Sequence, residues 1–398
     1  MNTRPNRTGR HPSAIYLDNA ATSFPKPPAV LRAVHECMEL YGGNPGRGSH
    51  RLALRAAEEV YDCRVAAAEL FGLDDPGRVI FTQNTTMALN LAIKGLLHPG
   101  DRAVCSDMEH NAVFRPLYRL ASDGIIQFET FQTFSAVPGR TDAMLLSSLE
   151  HALSRPTRLV VCAHASNICP ASLPLAAIGT LCHQHGALFA VDGAQSAGIQ
   201  NIHMRDMHID ALAIPGHKGL YGPMGVGMLL LGEGISPDTL IEGGNGLDSL
   251  SGGMGHDIPE RYEPGTLPLP AIAGLHAGID FVRTVTPAAI CEKETHLGIL
   301  LRDALAELTN VHVTVPHLDG GTILFELEGL SSEEVAAQLD ASHPGFCVRP
   351  GFHCAALAHR TLGTSENGAV RVSFGWFNTS RDVENLVRAI RACQSPAN

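Results

Sequence analysis

The 398-residue sequence contains no run of eighteen apolar residues, so no segment of it reads as a membrane-spanning helix. It has no excess of positive charge. A formal net charge of −11 argues against general nucleic-acid binding, which needs a basic surface. Its ten cysteines include no CxxC pair, which removes the usual zinc-ribbon spacing. Internal repeats and low-complexity tracts are missing as well. The basic opening "MNTRPNRTGRHPS" is not followed by an apolar stretch, so no signal peptide is expected, and residues 1–14 read as a tail. Scattered cysteines without an export signal fit free thiols in a reducing cytoplasm, with Cys105 and Cys162 as small core residues. The length suits two domains.

What is present is an alternation of short apolar runs and helical patterns. "RVIFT" (78–82), "RAVCS" (102–106), "RLVVCAH" (158–164), "ALFAVD" (187–192) and "DALAI" (210–214) read as strands. Apolar strands without alternation, separated by helical stretches such as "TTMALNLAIKGLL", indicate a mainly parallel sheet covered on both faces. "GVGMLLL" follows "DALAI" after too short a gap for a crossover, which predicts an antiparallel strand. Beyond the glycine-rich stretch 243–255 the texture changes. A helical region over 270–308 precedes "VHVTV", "GTILFEL", a helix near 331–339, "FCVRP", "AVRVSF" and a final helix over 380–393. This reads as a smaller α+β domain with the first forty or so residues packed on it. The expected division is a large domain over 15–265 and a small one over 266–398.

Ligands of open parallel sheets sit beyond the carboxyl ends of the strands. The residues that follow the strands here include Thr85, Thr86, His110, Asn167, Asp192, Gln195, His217 and Lys218. Each has a bland reading. Paired threonines at a helix start usually only cap it, an aspartate at a strand end is as often a turn residue, and a lone lysine is usually solvated. Lys218 differs, because "PGHKGLYGPMGVG" frames it with Gly and Pro, which fix an unusual backbone and admit a close ligand. Together the set suits pyridoxal phosphate. That cofactor needs a lysine for a Schiff base, an acid for its ring nitrogen, a helix start for its phosphate and a flat group against its ring.

"RPGFHCAALAH" (349–359) sets Cys354 beside His353. The thiol could be a small core residue, a metal ligand with His353 and His359, or a nucleophile. The metal reading lacks further cysteine or carboxylate partners at suitable spacing. A nucleophilic cysteine needs cations nearby to favour its thiolate, and Arg349 and His353 are the neighbours that could supply them.

From "YLDNAATSFPKP" to "VRVSFGWFNT" the chain resembles the class V, fold-type I pyridoxal-phosphate enzymes, and among them the short-loop cysteine desulfurases and selenocysteine lyases. The resemblance implies a seven-stranded, mainly parallel sheet flanked by helices, with a smaller α+β domain carrying the cysteine. It implies that Lys218 of "GHKG" carries the cofactor and Asp192 of "VDGAQSAG" faces the pyridinium nitrogen. Gln195 would lie near the phenolic oxygen. His110 of "MEHNAV" would stack on the ring, and Thr85, Thr86 and His217 would bind the phosphate. Asn167 of "HASN" would touch the substrate or the ring oxygen. Arg371, with Arg349 nearby, would hold the substrate carboxylate. Thr266 of "YEPGT" would reach the cofactor of a partner subunit, which implies a homodimer with shared active sites. Cys354 would be the catalytic cysteine.

The activity implied is conversion of L-cysteine to L-alanine with a persulfide on Cys354, passed on to a sulfur-acceptor protein. Selenocysteine lyase on L-selenocysteine and another elimination or racemisation remain open. A sulfur carrier or scaffold without catalysis would have no need for Lys218, Asp192 and His110 together. Pro215 and Gly219 depart from the "SGHKLYGP" of many relatives, remove one phosphate-binding hydroxyl and mark a distinct subgroup.

Overall fold

The computed structural model describes residues 14–46, 48–135, 137–245, 250, 252–314 and 319–393. The first thirteen residues of the expected tail, residues 246–249 and 251 of the glycine-rich stretch, and Val315 of "VHVTV" lie outside the described residues. No helix among the described residues is long and apolar enough to cross a membrane.

The chain opens with β1 (Ile15–Tyr16), α1 (Pro28–Leu40) and α2 (Arg51–Phe71). An alternating series follows: β2 (Val79–Thr82), α3 (Thr85–Leu96), β3 (Arg102–Ser106), α4 (Asn111–Ser122), β4 (Gln127–Phe131), α5 (Asp142–Ala152), β5 (Leu159–Ala163), α6 (Leu175–Gln184) and β6 (Leu188–Asp192). The strands β7 (Ala211–Pro215) and β8 (Gly227–Leu231) complete a seven-stranded sheet of order β2-β8-β7-β6-β5-β3-β4. Only β8 runs against the others, pairing antiparallel with both β2 and β7, as its short connection required.

Both faces of this sheet are buried, which explains the unbroken apolar runs. Val104, Val160, Phe189, Leu212 and Ile214 point to one core, while Ala103, Val161, Ala190, Ala213 and Leu229 point to the other. Each fully buried Val, Leu or Phe there contributes about 1.5–3 kcal/mol. The strand β4 has no counterpart among the runs read from sequence. It is an edge strand, and "QFETF" is exposed or half-buried except at Phe131.

The helical region expected over 270–308 is two helices, α7 (Leu269–Val285) and α8 (Pro287–Ala306). Thr286 between them takes φ 78 and caps α8 through its side chain, which accepts from the backbone N–H of Ala289. Pro287 has no N–H to continue α7, so the break falls there. Helix α7 packs against α1 and α2, and its Ile272, Leu275, Ile279 and Val282 belong to the first core of the large sheet.

The remaining elements are β9 (Val311–Val313), β10 (Thr322–Leu327), α9 (Ser332–Ala341), β11 (Phe346–Cys347), α10 (Ala356–Leu362), β12 (Val370–Ser373) and α11 (Ser380–Ala392). Strands β12, β10 and β9 form an antiparallel sheet, and β1 pairs in parallel with β11. Leu17 lies in the core of this second unit with Leu301, Phe325 and Val372. Asn19 donates from Nδ2 to the carbonyl of Ser373 at 3.0 Å, so the first residues are tied to the last strand.

Candidate active site

The carboxyl ends of β2, β3, β5, β6 and β7 border one pocket. Its lining includes Thr85, Thr86, His110, Asn167, Asp192, Gln195, Pro215, His217 and Lys218. All eight residues singled out at the strand ends therefore meet in one place. The positions 85 to 218 converge because parallel strands deliver their exits to the same edge.

Asp192 ends β6, is buried, and accepts a hydrogen bond from Ala194 N at 2.9 Å. Burial raises its pKa, while the Ala194 bond and the charge of Lys218 oppose that rise. Lys218 follows β7. Burial pushes its pKa down to about 8, against the pull of Asp192. A neutral, nucleophilic amine is thus accessible near neutral pH.

The backbone of this lysine is clamped by the N-terminal segment. The His217 carbonyl accepts from Ser23 N at 3.1 Å, Thr22 Oγ1 at 3.0 Å and Lys26 Nζ at 2.8 Å. The Lys218 carbonyl accepts from Ser23 Oγ at 2.9 Å. Gly219 lies so close to the loop after Asp192 that a Cβ there would stand 2.3 Å from the Ala197 carbonyl oxygen. The glycine that departs from the expected pattern is required by that approach.

His110 caps α4, and its Nδ1 accepts from Ala112 N at 3.0 Å. Burial, with Lys218 nearby, lowers its pKa to about 4, so the ring is neutral at pH 7 and its proton sits on Nε2. His217 is likewise lowered to about 4 by burial and the charges of Lys218 and Lys26. Helix α3 starts at Thr85, and the Asn84 side chain occupies the Met87 N–H of its first turn.

Four side-chain atoms of this lining are buried without a hydrogen-bond partner: Thr85 Oγ1, Ser166 Oγ, Asn167 Oδ1 and His217 Nδ1. Buried polar atoms are normally paired. Thr85 Oγ1 lies at the start of α3, a natural phosphate cradle, and His217, Asp192 and Lys218 share the same lining. The residues present fit pyridoxal phosphate.

Arg371 and Arg349 form a backbone bridge, with Arg349 N donating to the Arg371 carbonyl at 3.1 Å and Arg371 N donating to the Arg349 carbonyl at 2.8 Å. Arg371 is buried, and its guanidinium donates to the Asn167 carbonyl and to Asp18. Asp18 was not singled out from the sequence. It lies inside "YLDNAATSFPKP", and nothing local in that stretch points to a partner 353 residues away.

Cys354 is exposed and is not among the residues that line the pocket. Its loop nevertheless touches the pocket wall. Asn167 Nδ2 donates to the His353 carbonyl at 2.7 Å, and Asn111 N donates to the Cys354 carbonyl at 2.9 Å. His353 and Cys354 both adopt left-handed backbone, φ 52 and φ 57. Such residues cost on the order of 1–3 kcal/mol each and persist where the surroundings hold them.

The His353 ring does not serve the thiol. It is buried, with Nε2 against the Arg349 carbonyl at 3.0 Å and Nδ1 against His359 Nε2 at 3.3 Å. His359 passes the chain on to Thr364 Oγ1 at 2.7 Å. Burial lowers the His353 pKa to about 3, so it brings no charge to Cys354. Thr266 lies exposed on the surface and does not line the pocket.

Residues 15–386 match the family model described as aminotransferase class-V. The chain belongs to the class-V aminotransferase family. A family relative named as a probable cysteine desulfurase, from Methanothermobacter thermautotrophicus, is 33% identical across 94% of this chain and 92% of its own. The cysteine desulfurase of Thermococcus onnurineus NA1, solved without ligand, superposes with a TM-score of 0.88 at 32% identity, covering 95% of this chain and 94% of that one. The Escherichia coli cysteine desulfurase CsdA, solved in an S-sulfonic acid form, gives 0.83 at 26% identity, with 95% of this chain and 94% of that one covered. The class-V fold-type I architecture expected from the sequence is the one observed.

Two further polar residues at this class-V site had no clear sequence signal. Glu109 is fully buried beside His110 and accepts from Ser106 Oγ at 2.5 Å and Ala163 N at 2.9 Å. Burial raises its pKa to about 8. Lys26 reaches the His217 carbonyl, and burial lowers its pKa to about 8.

Proposed function

We propose that the protein is a pyridoxal-phosphate-dependent cysteine desulfurase that converts L-cysteine to L-alanine and leaves a persulfide on Cys354. The observation that carries this reading is the meeting of Lys218 and Asp192 in one pocket whose wall, through Asn167, holds the Cys354 loop. The names of its relatives support it.

Pyridoxal phosphate, when bound, supplies an electron sink for negative charge at the substrate α-carbon. Thr85, Thr86, His217 and the α3 start would hold its phosphate, Gln195 would serve its phenolic oxygen, and Asp192 would keep its ring nitrogen protonated. Lys218 offers a neutral amine for attachment and afterwards moves protons at the substrate carbons. His110, neutral and with Nε2–H free of the helix cap, would stack on the ring and hold a proton within the pocket. Arg371, whose Nε is buried without a partner, would receive the substrate carboxylate together with Arg349. The Cys354 thiolate attacks the substrate sulfur. The sulfur–sulfur bond forms as the carbon–sulfur bond breaks, and the released electron pair stays on carbon, which takes a proton to become the methyl group of alanine. A sulfur-acceptor protein then collects the persulfide sulfur. The enzyme is read as a cytoplasmic homodimer in which Thr266 contributes to the partner's site.

One observation favours selenocysteine lyase as a second reading: the Cys354 side chain stands outside the pocket lining. Selenolate is the better leaving group and needs less help from a thiolate. Steady-state turnover of L-cysteine and L-selenocysteine by wild type and Cys354→Ser separates the two. Loss of alanine formation from L-cysteine alone supports the desulfurase. Wild-type turnover of L-cysteine by Cys354→Ser would remove Cys354 as sulfur acceptor.

A further inference from the structure

Asn167 was expected to serve the substrate or the cofactor ring. Its amide does something else as well. Nδ2, buried, donates to the His353 carbonyl at 2.7 Å, and its own backbone carbonyl accepts from Arg371 at 3.1 Å. Oδ1 is buried, unpartnered and part of the pocket lining. One side chain therefore reaches the pocket with one end and the Cys354 loop with the other.

That loop needs holding. His353 and Cys354 are consecutive residues in the left-handed region, which non-glycine residues seldom occupy. Both of their carbonyls are pinned: the first by Asn167 Nδ2, the second by Asn111 N at the start of α4, next to His110. Among the described residues the exposed thiol itself has no hydrogen bond that would fix its direction, so its aim follows from these two backbone anchors.

We propose that Asn167 is a positioning residue for the nucleophile: its Nδ2–H, together with the Asn111 N–H, holds the His353–Cys354 backbone so that the Cys354 thiol addresses the pocket. An occupant that engages Oδ1 fixes the amide orientation and so stiffens the anchor from the pocket side. The proposal rests on the desulfurase reading for its catalytic consequence, but not for its structural one.

Two variants test it in the cofactor-loaded enzyme. Asn167→Asp keeps the side-chain shape and removes the donor. Asn111→Pro removes the second N–H at a first-turn helix position, where proline is tolerated. The extended backbone of His110, φ −70 and ψ 154, accepts a following proline.

Deuterium uptake across residues 349–355, measured without substrate, should quicken at least tenfold in either variant. Turnover of L-cysteine should fall relative to turnover of β-chloro-L-alanine, whose chloride leaves without a thiolate. The ratio should drop by about tenfold or more, the scale of a small misplacement of a reacting group. Equal losses on both substrates, or an unchanged uptake in the loop, would overturn the proposal and return Asn167 to a ligand of the substrate alone. If Asn167→Asp does not fold, Asn111→Pro carries both readouts. A wild-type enzyme that makes no alanine from L-cysteine ends the desulfurase reading, while the uptake comparison still decides the anchoring.

Discussion

Arg371, only 2% exposed, directs its guanidinium at the carboxylate of Asp18, which also stands 3.9 Å from Arg349. Two arginines thus face one internal carboxylate, and one positive charge remains for the carboxylate of an amino acid. Removing Asp18 would leave Arg371 buried with no anionic partner. Asp18→Ala should destabilise the fold by about 3 kcal/mol, read as a lower urea midpoint. Added L-alanine should restore part of that loss. An unchanged midpoint would show that Arg371 does not depend on Asp18.

Burial lowers the Lys218 amine from 10.5 to about 8. The neutral, nucleophilic form therefore appears at lower pH than for an ordinary lysine. Capture of an aldehyde by Lys218 in cofactor-free protein should rise with pH about a midpoint near 8. A midpoint close to 10.5 would mean that the amine is solvated.

Glu109 titrates in the opposite sense. Its carboxyl is raised from 4.5 to about 8 by burial, so the folded state holds a proton that the unfolded chain releases near 4.5. The stability this group contributes is full below pH 4.5 and is lost as pH rises towards 8. The slope through that window is at most about 1.4 kcal/mol per pH unit. Glu109→Gln cannot titrate, so its melting temperature relative to wild type should climb between pH 5 and pH 8. A constant difference across that range would contradict the protonated buried acid.

Gly219 has no room for a methyl group against the Ala197 carbonyl. Gly219→Ala should push the Lys218 segment away from the Asp192 loop. Cofactor retention through gel filtration should drop at least tenfold while the far-ultraviolet circular dichroism stays native. Full retention would mean that the two loops move apart freely.

The strands β2, β3, β5, β6 and β7 were legible because each is buried on both faces and so reads as an unbroken apolar run. Their polar exits identified the pocket, since a parallel sheet gathers those exits on one edge. Strand β4 was not legible, because an edge strand with one wet face carries too weak a pattern. Asp18 was hidden for a different reason: its partner Arg371 is set by the pairing of β1 with β11 and by the Arg349–Arg371 bridge, and no local spacing encodes either. The neutral, inward-turned His353 was also out of reach, because adjacency to Cys354 says nothing about which way a ring points.

The central claim is that Cys354 takes sulfur from L-cysteine. Its most direct measurement is peptide mass spectrometry of the cofactor-loaded wild type after L-cysteine is added without reductant, with alanine quantified in the same sample. The account predicts one extra sulfur on the peptide containing Cys354, formed in step with one alanine per active site, and none on the other cysteine peptides. Alanine released with no sulfur on that peptide would contradict it.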